Sequence, residues 1–151
     1  MAPTVPVTVT ASDSDADLRA AADAQRAYTA LYVGGMGSRK QNFYNQLTRR
    51  MGYEQAAADI QEKYLAGDPT GAAALVPHDL IDSTALLGTR DRIADRLKAY
   101  AATGVTTLIA MPGGAAPGGT GPGLEERLAM LRTLMEAAEL AGVLDGDVPS
   151  S

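Results

Sequence analysis

Cysteine is absent from the 151-residue chain, which removes disulfide frameworks, thiolate-ligated zinc, iron–sulfur clusters and thiol nucleophiles. A reducing cytosol is the simplest setting for such a chain, and a cytoplasmic protein is the expectation. Tryptophan is also absent, and phenylalanine and histidine occur once each. With His78 alone, a histidine-based metal site lacks its ligands, so no metal is expected. Positive charge is in short supply: 13 Lys+Arg against 18 Asp+Glu gives 13 − 18 = −5, with a pI near 4.7. Nucleic-acid partners are thereby disfavoured, because neutralising phosphates needs clustered cations. No apolar run approaches the roughly 18 residues of a spanning helix, and residues 1–5 have no basic n-region, so neither membrane insertion nor secretion is expected.

What remains is a small-residue globular composition, 46% hydrophobic with 16 glycines, long enough for one domain with its own core. Residues 5–11 alternate Val and Thr as a strand does, with Pro3 and Pro6 confined to its beginning. Ser12 or Ser14 can cap a helix over about residues 15–31. The glycines at 34, 35 and 37 break it. Ser38 can cap a second helix with Phe43, Tyr44, Leu47 and Met51 at helical spacing, and a third follows over about 53–65. Residues 72–76 and 79–82 read as short helical turns, so the middle of the chain is a helical excursion. The strand–helix pattern then returns: a strand at 83–87, a helix capped by Thr89 and ending at Gly104, the clearest strand at 105–111, a Gly/Pro loop at 112–123 and a final helix over about 124–141. Strands separated by helices imply parallel pairing. Three strands are few for a parallel sheet covered on both faces, so the sequence looks like part of something larger.

Four stretches, in this order, resemble the C-terminal part of the luciferase-like monooxygenase family, in particular its coenzyme F420-dependent oxidoreductases: ALYVGGMGSRKQNFY at 30–44, RMGYEQAAADIQ at 50–61, LLGTRDRIADRL at 86–97 and GVTTLI at 104–109. The first is the most specific. The resemblance implies an α/β fold, the C-terminal part of a TIM (β/α)8 barrel, consisting of its last three βα units plus a helical insertion. Residues 5–11 then stand for the sixth strand, 83–87 for the seventh and 105–111 for the eighth, within a single partial barrel domain over residues 1–151. Residues 5–142 are expected to be ordered, with 112–123 and 143–151 flexible. The implied activity is hydride transfer by a deazaflavin (F420)- or flavin-dependent oxidoreductase or monooxygenase on a small-molecule substrate. The cofactor is F420, with FMN as the alternative. Nothing in the chain matches the first five strands. The rival expectation is therefore a non-catalytic module that folds as a homo-oligomer or with a partner chain supplying the missing strands.

Barrel ligands sit at the C-terminal ends of the strands, here residues 11–13, 88–90 and 111–114. Gly88 and Thr89 open a helix, so their amides can hold an anion, or Thr89 can serve as a plain helix cap. Gly113 lies in the corresponding loop after the last strand. The segment from Gly34 to Lys40 has glycines that let amides approach an oxyanion, and Arg39 adds charge. It lacks both the dinucleotide and the P-loop fingerprints, and a simple turn between helices is the competing reading. With the family resemblance, Gly35, Gly37, Ser38, Arg39, Gly88, Thr89 and Gly113 are candidate cofactor-binding residues, and Met36, Asn42 and Phe43 are candidate substrate-facing ones. No catalytic acid or base can be named. Ser38 lacks the Gly-x-Ser-x-Gly context of a hydrolase, and His78 reads as an exposed or capping residue.

Overall fold

The first strand forms where the β-branched alternation predicts it. β1 (Thr4–Val9) buries Val5 and Val7 and leaves Thr4 exposed. In the computed structural model, which describes residues 2–38, 41–113 and 121–144, the chain divides into two compact units. Of the described residues, 2–21, 85–113 and 121–144 make up the first, and 22–38 and 41–84 make up the second.

The first unit holds a parallel three-stranded sheet of β1, β2 (Leu86–Gly88) and β3 (Ile109–Pro112). Parallel pairing agrees with the sequence, but the order does not. Sixth, seventh and eighth barrel strands lie side by side in that sequence, whereas here the order is β2-β1-β3 and the last strand pairs with the first. The register is Val7↔Leu86 on one side of β1 and Thr4↔Ile109 on the other. That register also explains why the clearest predicted strand is short. Ile109 already meets the start of β1, its amide donating to the Pro3 carbonyl at 2.9 Å, so residues 105–108 have no strand left to pair with.

Pro6 sits inside this central strand without costing a ladder bond. Residues of a parallel strand address its two neighbours alternately. The Val7 carbonyl accepts from the Gly113 amide on the β3 side, and the Thr10 amide donates to the Gly88 carbonyl on the β2 side. Pro6 therefore faces the β2 side at the level of Ala85, one residue before β2 begins. The missing N–H falls where there is no strand to receive it.

Two helices pack with the sheet in this unit. α7 (Arg90–Ala102) follows β2, and α8 (Leu124–Ala141) ends at Gly142 in the left-handed conformation. Val5, Val7, Leu86, Ile93, Ala94, Leu97, Ala137 and Ala138 form one buried cluster. The stretch after β1 enters α1 (Asp15–Asp23), where the Ser14 hydroxyl accepts from the Asp17 amide, so Ser14 rather than Ser12 is the cap. Ser12 instead donates to the Asp17 carboxylate at 2.6 Å.

The second unit is helical, as the excursion between strands predicts. The long helix expected over 15–31 is broken: α1 stops at Asp23, α2 (Arg26–Ala30) follows, and its last turn widens into a π-turn over Leu31–Gly35. α3 (Phe43–Arg50), α4 (Glu54–Leu65), α5 (Pro69–Ala74) and α6 (His78–Thr84) complete it. The two stretches read as short turns are thus full helical segments. Pro69 at the first position and the Asp68 carboxylate accepting from the Gly71 amide at 2.7 Å start α5. The core of this unit is Val33, Ala57, Ile60, Ala72, Val76, Leu80 and Ile81.

Candidate functional site

At the C-terminal end of β2, Gly88 lies at φ +126° and hands over to Thr89, whose hydroxyl caps α7 by accepting from the Arg92 amide. The sequence left open whether this helix start holds an anion or only a cap. The structure shows both roles filled from within the chain. Asp13, at the end of the segment after β1, accepts from the Thr89 amide at 2.8 Å and from the Thr89 hydroxyl at 2.7 Å. A carboxylate at the positive end of a helix, on its free N–H, is favourable for the reason that a bound phosphate would be. Gly88 is required by the crowding: an added Cβ would stand 2.7 Å from Arg92 Cδ and 2.8 Å from Asp13 Oδ1. Arg92 is in turn tied down, Nη1 donating to the Leu87 carbonyl at 2.6 Å.

Gly113 stands at the end of β3 with φ +76°, and its amide donates to Val7 O at 2.8 Å. The first unit thus brings Asp13, Gly88 and Thr89 together at one strand end, with Gly113 at the end of β3. The amides of Thr89 and Gly113 are already spent within the chain. A phosphate-bearing cofactor does not fit at the start of α7 while Asp13 sits there. The unit also has an apolar groove of about 210 Å³, lined by residues that include Leu97, Tyr100, Val105, Leu108 and Leu134. Because residues 105–108 precede β3, the groove lies at the N-terminal ends of the strands, opposite to where barrel enzymes place chemistry.

In the second unit the Gly-rich segment is built around Tyr64. Added Cβ atoms at Gly34 and Gly35 would stand 2.6 Å from Tyr64 Cβ and 2.5 Å from Tyr64 Cε1, so these glycines let the π-turn lie against the ring. Gly37, at φ +133°, donates its amide to the Gly35 carbonyl at 3.0 Å. Ser38 is exposed, and its carbonyl accepts from the Gln41 amide at 3.1 Å. Arg39 lies outside the described residues. Ser38 does not cap α3; Asn42 does, its side chain accepting from the Asn45 amide at 3.0 Å.

Asn42 is the clearest departure from the sequence reading. Expected to face substrate, it is 1% exposed, and its Nδ2 donates to the carbonyls of Tyr32 and Val33, each at 3.0 Å. Asn45 Nδ2 donates to Val33 O at 3.0 Å and Ala57 O at 2.7 Å. The π-turn withdraws carbonyls from the ordinary helical ladder, and these two amides answer them. A consequence is that α3 turns its polar side inward and its apolar side outward. Met36, Phe43, Tyr44, Leu47 and Met51 are all exposed, Phe43 by 66%. Met36 and Phe43 therefore stand where a ligand can reach them.

Behind this surface, Tyr28, Tyr32, Tyr44 and Phe43 form a chain of ring contacts with centroid separations of 4.6, 4.7 and 5.5 Å. Burial, followed by the hydrogen bond and charge of Tyr32 and the charge of Tyr44, holds the Tyr28 phenol far above the usual tyrosine range. His78 Nδ1 lies 3.4 Å from Asp79 Oδ1, and its Nε2 is buried without a partner. The described residues contain no cluster of His, Asp and Glu able to hold a metal.

Sequence reasoning missed Asp13 as the anion on α7, because that contact joins residues 76 apart and depends on the register of β1 with β2. It also missed Gln25 and Gln61, which are 1% and 5% exposed and have amide atoms without partners. Nothing in their local pattern separates them from surface glutamines.

Comparison with known proteins bears on about two thirds of the chain. A protein of Mycobacterium tuberculosis (strain H37Rv), provisionally named a coenzyme F420-dependent oxidoreductase, is 35% identical over 100 residues. The match covers 66% of this chain and 29% of that protein, so the chain spans well under half of its relative's length. No solved structure matches it significantly. No helix among the described residues is long and apolar enough to cross a membrane. Residues 1–107 match the profile of luciferase-like monooxygenases, and with the parallel βα units described above this shows that the chain belongs to the luciferase-like monooxygenase family.

Proposed function

We propose that the chain provides the cofactor-facing end of a deazaflavin- or flavin-dependent oxidoreductase, acting with further barrel strands, and that it does not carry out hydride transfer alone. The observation that carries this reading is the family match over residues 1–107 together with the position of Gly88, Thr89 and Gly113 at the C-terminal ends of parallel strands; at the start of α7 the reading requires Asp13 to withdraw from the Thr89 amide. The relative's name supports F420, with FMN as the alternative. When bound, such a cofactor supplies the hydride acceptor or donor, and the protein supplies orientation and exclusion of water. This chain's part is to offer the loops at Gly88–Thr89 and Gly113 in the first unit, and the Gly35–Arg39 segment with Met36 and Phe43 in the second.

The internal Asp13 carboxylate favours a second reading, in which the chain is a non-catalytic module completed by a second copy or a partner chain. Titration of the purified chain with F420 and with FMN, followed by cofactor fluorescence, separates the two. Binding near micromolar strength that tightens in Asp13→Ala, where the Thr89 donors are released, supports the cofactor-facing role. Absence of binding in both proteins, each shown to be folded by circular dichroism, refutes it and leaves the module.

A further inference from the structure

α8 carries more apolar surface than its own unit covers. Met130, Ala137 and Ala138 are buried, and Leu134 is half-buried beside them. A second stripe, Leu124, Leu128, Leu131 and Met135, is exposed by 72, 37, 38 and 51%. At roughly 100° per residue this stripe lies about a quarter-turn away from the inward face. Its 4-3-4 spacing is that of alternating d and a positions of a heptad, with Leu124 and Leu131 at d and Leu128 and Met135 at a. We propose that this stripe is a self-association surface on which α8 pairs antiparallel with α8 of a second copy of the chain.

The charges select both the partner and the direction. In this register Glu125 and Arg132 occupy e positions and Arg127 a g position, and all three are exposed. Antiparallel helices bring e against e. A two-fold axis between Leu128 and Leu131 then sets Leu124 opposite the second copy's Met135, Leu128 opposite its Leu131, and Glu125 opposite its Arg132, twice over. The stripe is thus complementary to itself, as a two-fold interface must be. Parallel pairing brings g against the following e and sets Arg127 against Arg132 of the other copy, a like-charge contact. Neither Glu125 nor Arg132 has an ion pair within the chain among the described residues.

The seam from Leu124 to Met135 is only about 16 Å long, which makes a small interface and a weak, concentration-dependent association. Association here is independent of any cofactor, so its test does not depend on the function proposed above. Sedimentation equilibrium of the full chain up to about 500 µM is expected to give a monomer–dimer equilibrium in that range. Glu125→Arg sets arginine against arginine twice, leaves the Arg127–Arg132 repulsion of parallel pairing in place, and is expected to weaken the dimer about tenfold. The double swap Glu125→Arg with Arg132→Glu is expected to restore it to within about threefold. Both substitutions are at exposed positions, and circular dichroism checks that the variants remain folded. A wild-type chain that stays monomeric overturns the proposal, and so does a dimer that E125R leaves unchanged, which would place association elsewhere, for instance on the outer edge of β3.

Discussion

Replacing Asn42 by alanine is expected to unfold the second unit more readily than any exposed substitution in the chain. Its side chain makes three contacts at once: Oδ1 accepts the Asn45 amide, and Nδ2 bridges the Tyr32 and Val33 carbonyls, each at 3.0 Å. Loss of an N-cap costs about 1 kcal/mol. Each buried group left without a partner costs about 1–3 kcal/mol. Val33 O keeps its bond from Asn45 Nδ2, so Tyr32 O and the Asn45 amide are the groups stranded. With one cost already counted in the cap, N42A should lose about 3 kcal/mol, a large share of the 5–15 kcal/mol that stabilises a typical domain.

The assay can address this unit almost selectively. The chain has no tryptophan, and Tyr28, Tyr32, Tyr44, Tyr53 and Tyr64 all lie in the second unit, leaving only Tyr100 in the first. Urea denaturation followed by tyrosine emission therefore reports chiefly on the region that Asn42 supports. Asn42→Ser separates the two contributions, since a hydroxyl keeps the cap but does not reach both carbonyls; it should fall between wild type and N42A. A loss below about 1 kcal/mol for N42A would mean that the π-turn carbonyls are not held by this side chain, and the account of why α3 turns its apolar side outward would fail with it.

Three further outcomes follow from other parts of the chain. Gly88→Ala forces a side chain into φ +126° against Arg92 and Asp13, and should cost about 1–3 kcal/mol in urea denaturation; a neutral effect refutes the crowding at β2. Asp68 is held below the ordinary aspartate value of 3.8 by the Gly71 amide and then by Lys63, so its stabilisation of the α5 start is present above 3.8 and lost as pH falls through the lowered value. Asp68→Asn should remove this part of the acid sensitivity, read as the difference between the two proteins' acid melts. Tyr28 is held above the ordinary value of 10.0, so its contribution is complete below that pH and is lost as pH rises through the raised value. Ultraviolet titration should show the Tyr28 phenol ionising in a late step at high pH, and Tyr28→Phe should abolish that step; a titration without it, or one that Y28F leaves unchanged, contradicts it.

Local chemistry was legible in the sequence wherever it is settled within a few residues. The Thr89 cap, the final helix with Gly142 as its stop, and the strand character of the first segment all depend on neighbours three or four positions away. What could not be read depends on distant partners. Phe43, Leu47 and Met51 show a proper helical stripe, yet it faces outward because Asn42 and Asn45 are needed inside by carbonyls that only the π-turn exposes. The candidate anion site at Gly88–Thr89 was visible as a helix start, but its occupant was not, because Asp13 reaches it only through strand pairing.

The strand order has a physical cause of the same kind. Among the described residues β1 has six residues, β2 three and β3 four. The order of a barrel would place β2 in the middle and limit the sheet to whatever ladders a three-residue strand can support on both sides. With β1 central, its register matches three residues of β2 on one side and all four of β3 on the other. Ladder bonds come from overlap, so with these strands alone the longest one belongs in the centre. The edge of β1 that β3 takes is the one a barrel would give to the strand before it. Any chain that supplied that neighbour would have to displace β3 from β1, and β3 would then be free to move beside β2. Completion of a barrel is therefore an exchange of one set of strand pairs for another, and its free energy is the difference between them rather than the full value of a new ladder.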